Sequence, residues 1–181
     1  DGKFNPDGTV TRAEFLKMAM DSFGIVGHAY RDGECLDATN DDWYCYYLQG
    51  ALDKNIIPKE MIENCNVTKV TKTLAEATDD KKAVTTDVNV YTGKFDGDKP
   101  ITREEMAAIA VRCKKYVCKD EVGFLFKSPI IKDEAEIDEK YVNYVILAYV
   151  FRYINGMEDG RFAPKENLTR AQAAVVMNNL K

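Results

Sequence analysis

The chain has 181 residues, and 25 Lys and Arg against 30 Asp and Glu give it a formal net charge of −5. This acidic balance, without a basic tract, argues against a nucleic-acid-binding protein. The longest apolar run, residues 144–151, is too short to span a bilayer. Hydrophobic residues make up 45% of the chain, which is enough for a sizeable core. Because neither Met nor a signal peptide opens the sequence, we expect a processed protein or an excised piece.

The first predicted helix begins directly after Thr11. Asn and Gly at residues 5–8 predict a turn, and Thr11 then occupies the N-cap position. Glu14, three residues later, completes a capping box. Apolar residues four, seven and eight places after the Thr form one stripe, so the helix is expected to pack on a shared core.

The same motif occurs twice more, as Thr102-Arg103-Glu104-Glu105 and as Thr169-Arg170-Ala171-Gln172. Each copy also has a Phe seven residues before the Thr, and a turn between the two. Thr102 with Glu105 and Thr169 with Gln172 are therefore predicted to form two further capping pairs. Three copies in one chain indicate an internal repeat.

Each motif places an Arg at the first helical position: Arg12, Arg103 and Arg170. The helix dipole is positive there, so a cation is disfavoured by about 0.3–1 kcal/mol. An Arg beside free helix N–H groups is, however, a good receptor for a carboxylate or a phosphate. We therefore predict that these three arginines bind an anionic ligand.

The pattern Phe-x6-Thr-Arg-Ala-Glu resembles the S-layer homology module of bacterial surface proteins, and so do residues 154–162 leading into residues 168–171. The resemblance implies a mainly α fold. In it, repeated helix–loop–helix modules form a pseudo-threefold spindle, a central helical bundle with prongs. It also implies grooves that hold an anionic, often pyruvylated, secondary cell-wall polysaccharide, with Arg12, Arg103 and Arg170 as ligand contacts. The expected location is extracellular, at the bacterial cell wall.

The resemblance divides the chain into three parts. Residues 1–30 are the second half of module 1, residues 31–118 are module 2 with an insertion at about 59–91, and residues 119–181 are an apolar connector and module 3. Further helices are expected at about 41–55 and 138–153. The insertion departs from the family and is predicted to be irregular or partly extended, over 67–74 and 83–91.

Some single residues have a simpler structural interpretation. Trp43 is expected to pack in the core, since an aromatic residue at helical spacing is core more often than a sugar platform. Asp37 and Asp133 occupy equivalent positions, and turn closure explains both. Cys113 lies on the core face of its helix and is expected to act as a small hydrophobe.

No cofactor or metal is predicted. The five cysteines have no CxxC spacing and His28 is the only histidine, so a zinc or iron–sulfur site is not expected. A disulfide between two of Cys35, Cys45 and Cys65 stays an open alternative, because the sequence does not select the pair. The turn before each motif imitates a calcium-binding loop, but its first position holds a cation in every copy, which cannot bind calcium.

The resemblance implies anchoring at the cell surface, and no pair of carboxylates is marked for acid–base work on a glycan, so the predicted function is non-catalytic. Arg170 and Arg12 are the strongest candidate contacts to the polysaccharide. Arg103 is the weakest, because Glu104 adds negative charge beside it. The alternative is a structural scaffold that assembles through contacts with other surface-layer proteins and binds no glycan.

Overall fold

Five helices and two antiparallel strand pairs make up the computed structural model, which describes residues 3–27, 34–39, 41–75, 82–119 and 131–180. In chain order the elements are α1 (Arg12–Ser22), β1 (Glu34–Cys35), β2 (Ala38–Thr39), α2 (Cys45–Asp53), β3 (Glu63–Ala75), β4 (Val84–Lys94), α3 (Arg103–Cys118), α4 (Val142–Val150) and α5 (Arg170–Leu180). Short 3-10 turns at Lys59–Met61, Glu134–Glu136 and Glu139–Tyr141 connect them.

The three motif helices α1, α3 and α5 begin at the predicted residues. In α1 and α3 the Thr hydroxyl accepts the N–H of the Glu three residues later, and that Glu accepts the N–H of the Thr. In α5 the same exchange joins Thr169 and Gln172, at 3.0 and 3.2 Å. All three predicted capping pairs are therefore present, and they fix where each helix starts.

The core lies where the motif helices meet. Helix α1 packs against α2, α3 and α5, and α4 packs on α3. The Phe that precedes the second and third motifs, Phe95 and Phe162, is fully buried, as is Cys113 on α3. The predicted packing of Trp43 is wrong, because this residue is 53% exposed beside α2.

The prediction of a mainly α fold, a spindle built as a helical bundle with prongs, is wrong: the described chain is mixed α and β. Strands β3 and β4 form a long antiparallel hairpin in which Val70 faces Val88 and Thr68 faces Val90. The physical reason lies in the insertion, whose alternating Val and Thr residues favour a pleated, half-exposed strand over a helix. The resemblance to the family does not cover this segment, so it could not supply the hairpin.

The other predicted elements are shorter than expected. Helix α2 takes up part of the predicted helix at 41–55, and α4 part of that at 138–153. Residues 120–130 of the apolar connector lie outside the described residues. All five cysteines are free thiols, so the disulfide that the sequence left open is not formed. The boundaries of the three modules stay predictions.

Candidate functional site

The three motifs meet in a ring of backbone hydrogen bonds. The N–H of Val10 donates to the carbonyl of Leu168 at 2.9 Å, that of Leu168 to Ile101 at 3.0 Å, and that of Ile101 to Val10 at 3.0 Å. We call residues 10–14, 101–105 and 168–172 the motif ring. Because each segment donates to one neighbour and accepts from the other, the ring closes and joins the ends of the chain.

The first amides of each motif helix are also used inside the protein. In every copy the N–H groups of the Arg and of the next residue donate to two carbonyls in the turn before another motif, at 2.8–3.1 Å. Those carbonyls belong to Lys99 and Gly97 for α1, to Glu166 and Pro164 for α3, and to Gly8 and Pro6 for α5. The free amides that the predicted anion receptor needs are therefore occupied.

Arg12 is 7% exposed and lies inside the ring. Its guanidinium binds both carboxylate oxygens of Glu105, with Nε 3.2 Å from Oε2 and Nη2 on Oε1. Nη1 donates to the carbonyl of Phe95 at 2.6 Å. The Arg of the first motif thus neutralises the capping Glu of the second, and a buried pair of this kind is costly to break from one side.

Arg103 is 3% exposed, and none of the described carboxylates is in direct contact with it. Its Nε donates to the carbonyl of Phe162 at 2.7 Å, and its Nη2 to the carbonyl of Asn155 at 3.2 Å. The guanidinium carbon lies 5.1 Å from the centre of the Phe162 ring. Burial lowers the pKa of Arg103, as expected for a cation that loses hydration.

Arg170 differs from the other two, because its side chain is 39% exposed. Its Nε donates to the carbonyl of Phe4 at 2.9 Å, and Nη1 lies 3.8 Å from Glu14. Phe4 itself is exposed, so the stacking of the guanidinium on its ring, at 5.6 Å, faces water. Of the three predicted ligand contacts, Arg170 is the one that an external anion can reach.

Asp37 and Asp133 brace the turns that supply these carbonyls. Asp133 accepts the N–H groups of Phe162 and Ala163, each at 2.7 Å. Asp37 does the same for Phe95 and Asp96, at 2.7 and 2.8 Å. Turn closure, as the sequence predicts, is therefore what both carboxylates do.

Glu104, within the motif ring, is buried and shares a cation with a second carboxylate. Lys165 Nζ lies 2.6 Å from both Glu104 and Asp138, and the N–H of Asp138 donates to Glu104 at 3.1 Å. Burial raises the pKa of Glu104 even against the attraction of Lys165. Glu104 thus makes internal contacts, and does not stand beside Arg103 in an open site.

A different surface carries exposed positive charge. A cavity of about 530 Å³ opens between the end of α2, the second half of α3 and helix α4. Its described lining contains no Asp or Glu and five cations: Lys54, Arg112, Lys114, Lys115 and Lys140. We call this cavity the basic groove. In the described part of the chain none of the five forms an ion pair with a carboxylate, although the chain as a whole has a net charge of −5.

Aromatic side chains share the groove with these cations: Tyr116, Tyr144, Phe151 and Tyr153. Tyr144 holds Arg112, whose Nε and Nη2 donate to its hydroxyl oxygen at 2.8 and 2.6 Å. Arg112 Nη1 donates to the carbonyl and side-chain oxygens of Asn55, at 3.0 and 2.9 Å. The cation in the middle of the groove is therefore fixed in place before any ligand arrives.

Helix electrostatics explain part of this charge. Lys54 follows α2, and Lys115 lies in the last turn of α3, where a cation is stabilised by about 0.3–1 kcal/mol. Lys140 has no such explanation, because it lies just before α4 begins, where the dipole disfavours it. The concentration of charge in the groove thus exceeds what the helix ends require.

The sequence analysis missed this site. The signal was Arg112-Cys113-Lys114-Lys115, with three cations in four residues. They are joined in space by Lys54, which follows α2, and by Lys140, which lies in the 3-10 turn before α4. Only the packing of α4 on α3, and the hydrogen bonds from Arg112 to Asn55 near the end of α2, bring them together.

Comparison with known proteins identifies the family. The S-layer homology domain matches residues 1–16 and 130–174. The chain therefore carries S-layer homology domain sequence, the family that its motifs resemble. These matched segments contain the first and third motifs with their turns, which supports the resemblance of the sequence pattern.

Three relatives align with nearly the whole chain. They are an amylopullulanase of Thermoanaerobacterium thermosulfurigenes and exoglucanase XynX of Acetivibrio thermocellus, each 30% identical over 99% of this chain, and an endoglucanase of Bacillus sp. (strain KSM-635), 29% identical over 98%. The alignments cover only 8%, 14% and 15% of those relatives. The chain thus spans less than a sixth of the length of each of these relatives.

Family membership gives the location and the general role. The chain is extracellular, at the cell wall, and S-layer homology domains anchor surface proteins there. The domain itself is not catalytic. No helix in the described part of the chain is long and apolar enough to cross a membrane.

Proposed function

We propose that this S-layer homology chain anchors its protein to the wall by binding an acidic secondary cell-wall polysaccharide in the basic groove. The observation that carries the proposal is the set of five cations in a groove whose described lining has no carboxylate. Electrostatic complementarity of this kind attracts an acidic polymer and excludes a basic one. The aromatic side chains offer flat surfaces on which sugar rings can pack.

Arg170 is a second candidate contact, because its exposed guanidinium can meet another stretch of the same polymer. A single groove gives modest affinity, and two contacts on one chain raise retention through effective concentration. Arg12 and Arg103 are instead assigned to holding the repeats together, since both guanidinium groups are buried on internal partners. The proposal thus keeps the predicted type of ligand and moves its main site.

Co-sedimentation with purified cell walls tests the proposal, before and after chemical removal of the secondary polymer. We expect the protein to pellet with intact walls and to remain in solution with stripped ones. Pelleting should fall as ionic strength rises, because exposed charges are screened within about 8 Å at 0.15 M salt. Equal pelleting with both wall preparations would overturn the proposal in favour of peptidoglycan or non-specific adhesion.

A matched pair of variants locates the site. Lys115→Gln with Lys140→Gln removes two positive charges from the groove, and Lys69→Gln with Lys82→Gln removes two exposed charges in or beside the hairpin. Both double variants have the same net charge. We expect only the groove variant to lose wall binding, and equal losses would place the interaction elsewhere.

A scaffold role is the second candidate function, and the hairpin favours it. Among the described residues β3 and β4 form a sheet of two strands, so the outer edge of each strand is unpaired. Such edges can pair with a strand of another chain. Failure to pellet with either wall preparation, together with concentration-dependent self-association, would favour this role over glycan binding.

A further inference from the structure

We infer that Arg112 and Tyr144 act as one specificity-determining unit, a pair of donors that binds a carboxylate or phosphate group of the polymer. The inference rests on the proposed function and deepens it, because it assigns anion recognition to particular atoms. It stands on the hydrogen bonds around these two side chains in the basic groove.

The guanidinium of Arg112 has five N–H groups. Nε donates once to Tyr144, Nη1 donates twice to Asn55, and Nη2 donates once to Tyr144. These are four donors, so one N–H remains, on Nη2. None of the described residues accepts it.

The hydroxyl of Tyr144 has a donor left over as well. A phenol oxygen has two lone pairs and one O–H, and two N–H groups of Arg112 occupy the acceptor side at 2.8 and 2.6 Å. The hydroxyl can then only donate, and no acceptor for it occurs in the described part of the chain. Hydrogen bonds in a chain polarise one another, so a phenol that accepts from a cation is a stronger donor.

The two leftover donors lie next to each other. The two remaining donors are on atoms 2.6 Å apart, Arg112 Nη2 and Tyr144 Oη, and both residues line the groove. Two neighbouring donors can contact two oxygens of one anionic group side by side. A neutral sugar hydroxyl offers a single oxygen, so the pair favours an anion. Lys114 and Lys115 then supply non-directional attraction.

The unit is also rigid. Asn55 has a left-handed backbone, with φ 55°, directly after α2, and its two oxygens fix the far side of the guanidinium. The guanidinium carbon lies 5.2 Å from the centre of the Tyr144 ring. Because three elements hold the pair, little side-chain entropy is lost when a ligand binds.

Binding of three polymers to the intact chain tests the inference: polygalacturonate carries carboxylates, polyphosphate carries phosphates, and dextran is neutral. Tyr144→Phe removes only the hydroxyl. Arg112→Lys keeps the positive charge but loses the planar set of N–H donors of the guanidinium. We expect each to weaken binding of one anionic polymer about tenfold, the value of one charge-assisted hydrogen bond. The polymer that loses most identifies the anion, and the affinity for dextran should not change.

Tyr46→Phe is the matched control, because it removes the hydroxyl of an exposed tyrosine that is not among the described lining residues of the groove. A melting curve for each variant separates unfolding from loss of binding, since a purely structural role would change melting without changing the ratio of anionic to neutral affinity. If the original protein binds an anionic polymer and Tyr144→Phe binds it equally well, this inference is overturned and the proposed function stands. If the original protein binds neither anionic polymer, both are overturned.

Discussion

The two halves of helix α3 use arginine in opposite ways. At its start, Arg103 is 3% exposed and donates to two carbonyls of the following repeat. Nine residues later, Arg112 lies in an open groove with four other cations, and its described lining has no acid. The same residue type thus stabilises the motif ring in the first half of α3, and in the second half it faces a space that a ligand can enter.

The difference shows that a repeated residue need not be a repeated binding site. The motif arginines recur because each repeat must hold its neighbour, and carbonyl oxygens are the acceptors that neighbour presents. The described groove does not follow the repeat, because Lys54, Arg112 and Lys140 come from three different parts of the chain. The following predictions test this division of roles, from the largest expected effect to the smallest.

Arg12→Met should give the largest loss of stability. It leaves the Glu105 carboxylate buried without its cation, which costs about 3–5 kcal/mol. Urea unfolding measures the change. Adding Glu105→Gln removes the unpaired charge and keeps an acceptor for the capping bond, so the double variant should recover part of the loss. A loss no larger than that of Arg170→Met would contradict a structural role for Arg12.

Asp133→Ala should cause the next largest loss of stability, and Asp37→Ala a smaller one. Each carboxylate accepts two backbone N–H groups, but Asp133 is buried and Asp37 is exposed. Unsatisfied buried donors cost about 1–3 kcal/mol, whereas water can replace Asp37. The two free energies of unfolding check this order. Equal losses would mean that the turns do not depend on burial.

Thr169→Ala should cost about 1 kcal/mol, the usual effect of a lost N-cap. Arg170→Ala, one residue later, should change stability by less than about 0.5 kcal/mol, because its side chain is partly in water. Thermal unfolding and wall pelleting of both variants separate the roles: the first should lose stability and the second binding. A large loss of stability for Arg170→Ala would mean that Arg170, like Arg12 and Arg103, holds the repeats together.

Glu104→Gln should have the smallest effect, and its sign should depend on pH. Burial raises the pKa of Glu104 in the folded protein, so the folded state binds this proton more readily than the unfolded chain. Acidification from neutral pH through that raised pKa should therefore stabilise the original protein relative to Glu104→Gln. Urea unfolding of both proteins at several pH values measures the difference. The opposite trend would mean that Lys165 outweighs burial.

Local patterns in the sequence determined the starts of the motif helices. Thr11 with Glu14, Thr102 with Glu105 and Thr169 with Gln172 form capping pairs within four residues, so no distant contact is needed to predict them. Asp37 and Asp133 were likewise readable as turn residues. The resemblance to the S-layer homology family was visible in the same short segments, and the comparisons confirm it.

Only the tertiary structure decided the mixed fold, the burial of the motif arginines and the position of the groove. The hairpin depends on a pairing of strands across residues that the repeat pattern does not contain. Whether an Arg is buried or open depends on which carbonyls and carboxylates the other repeats bring to it, and these lie 52 to 166 residues away in sequence. Local propensity acts over one helical turn, whereas charge and burial depend on distance in space, which the order of residues alone does not give.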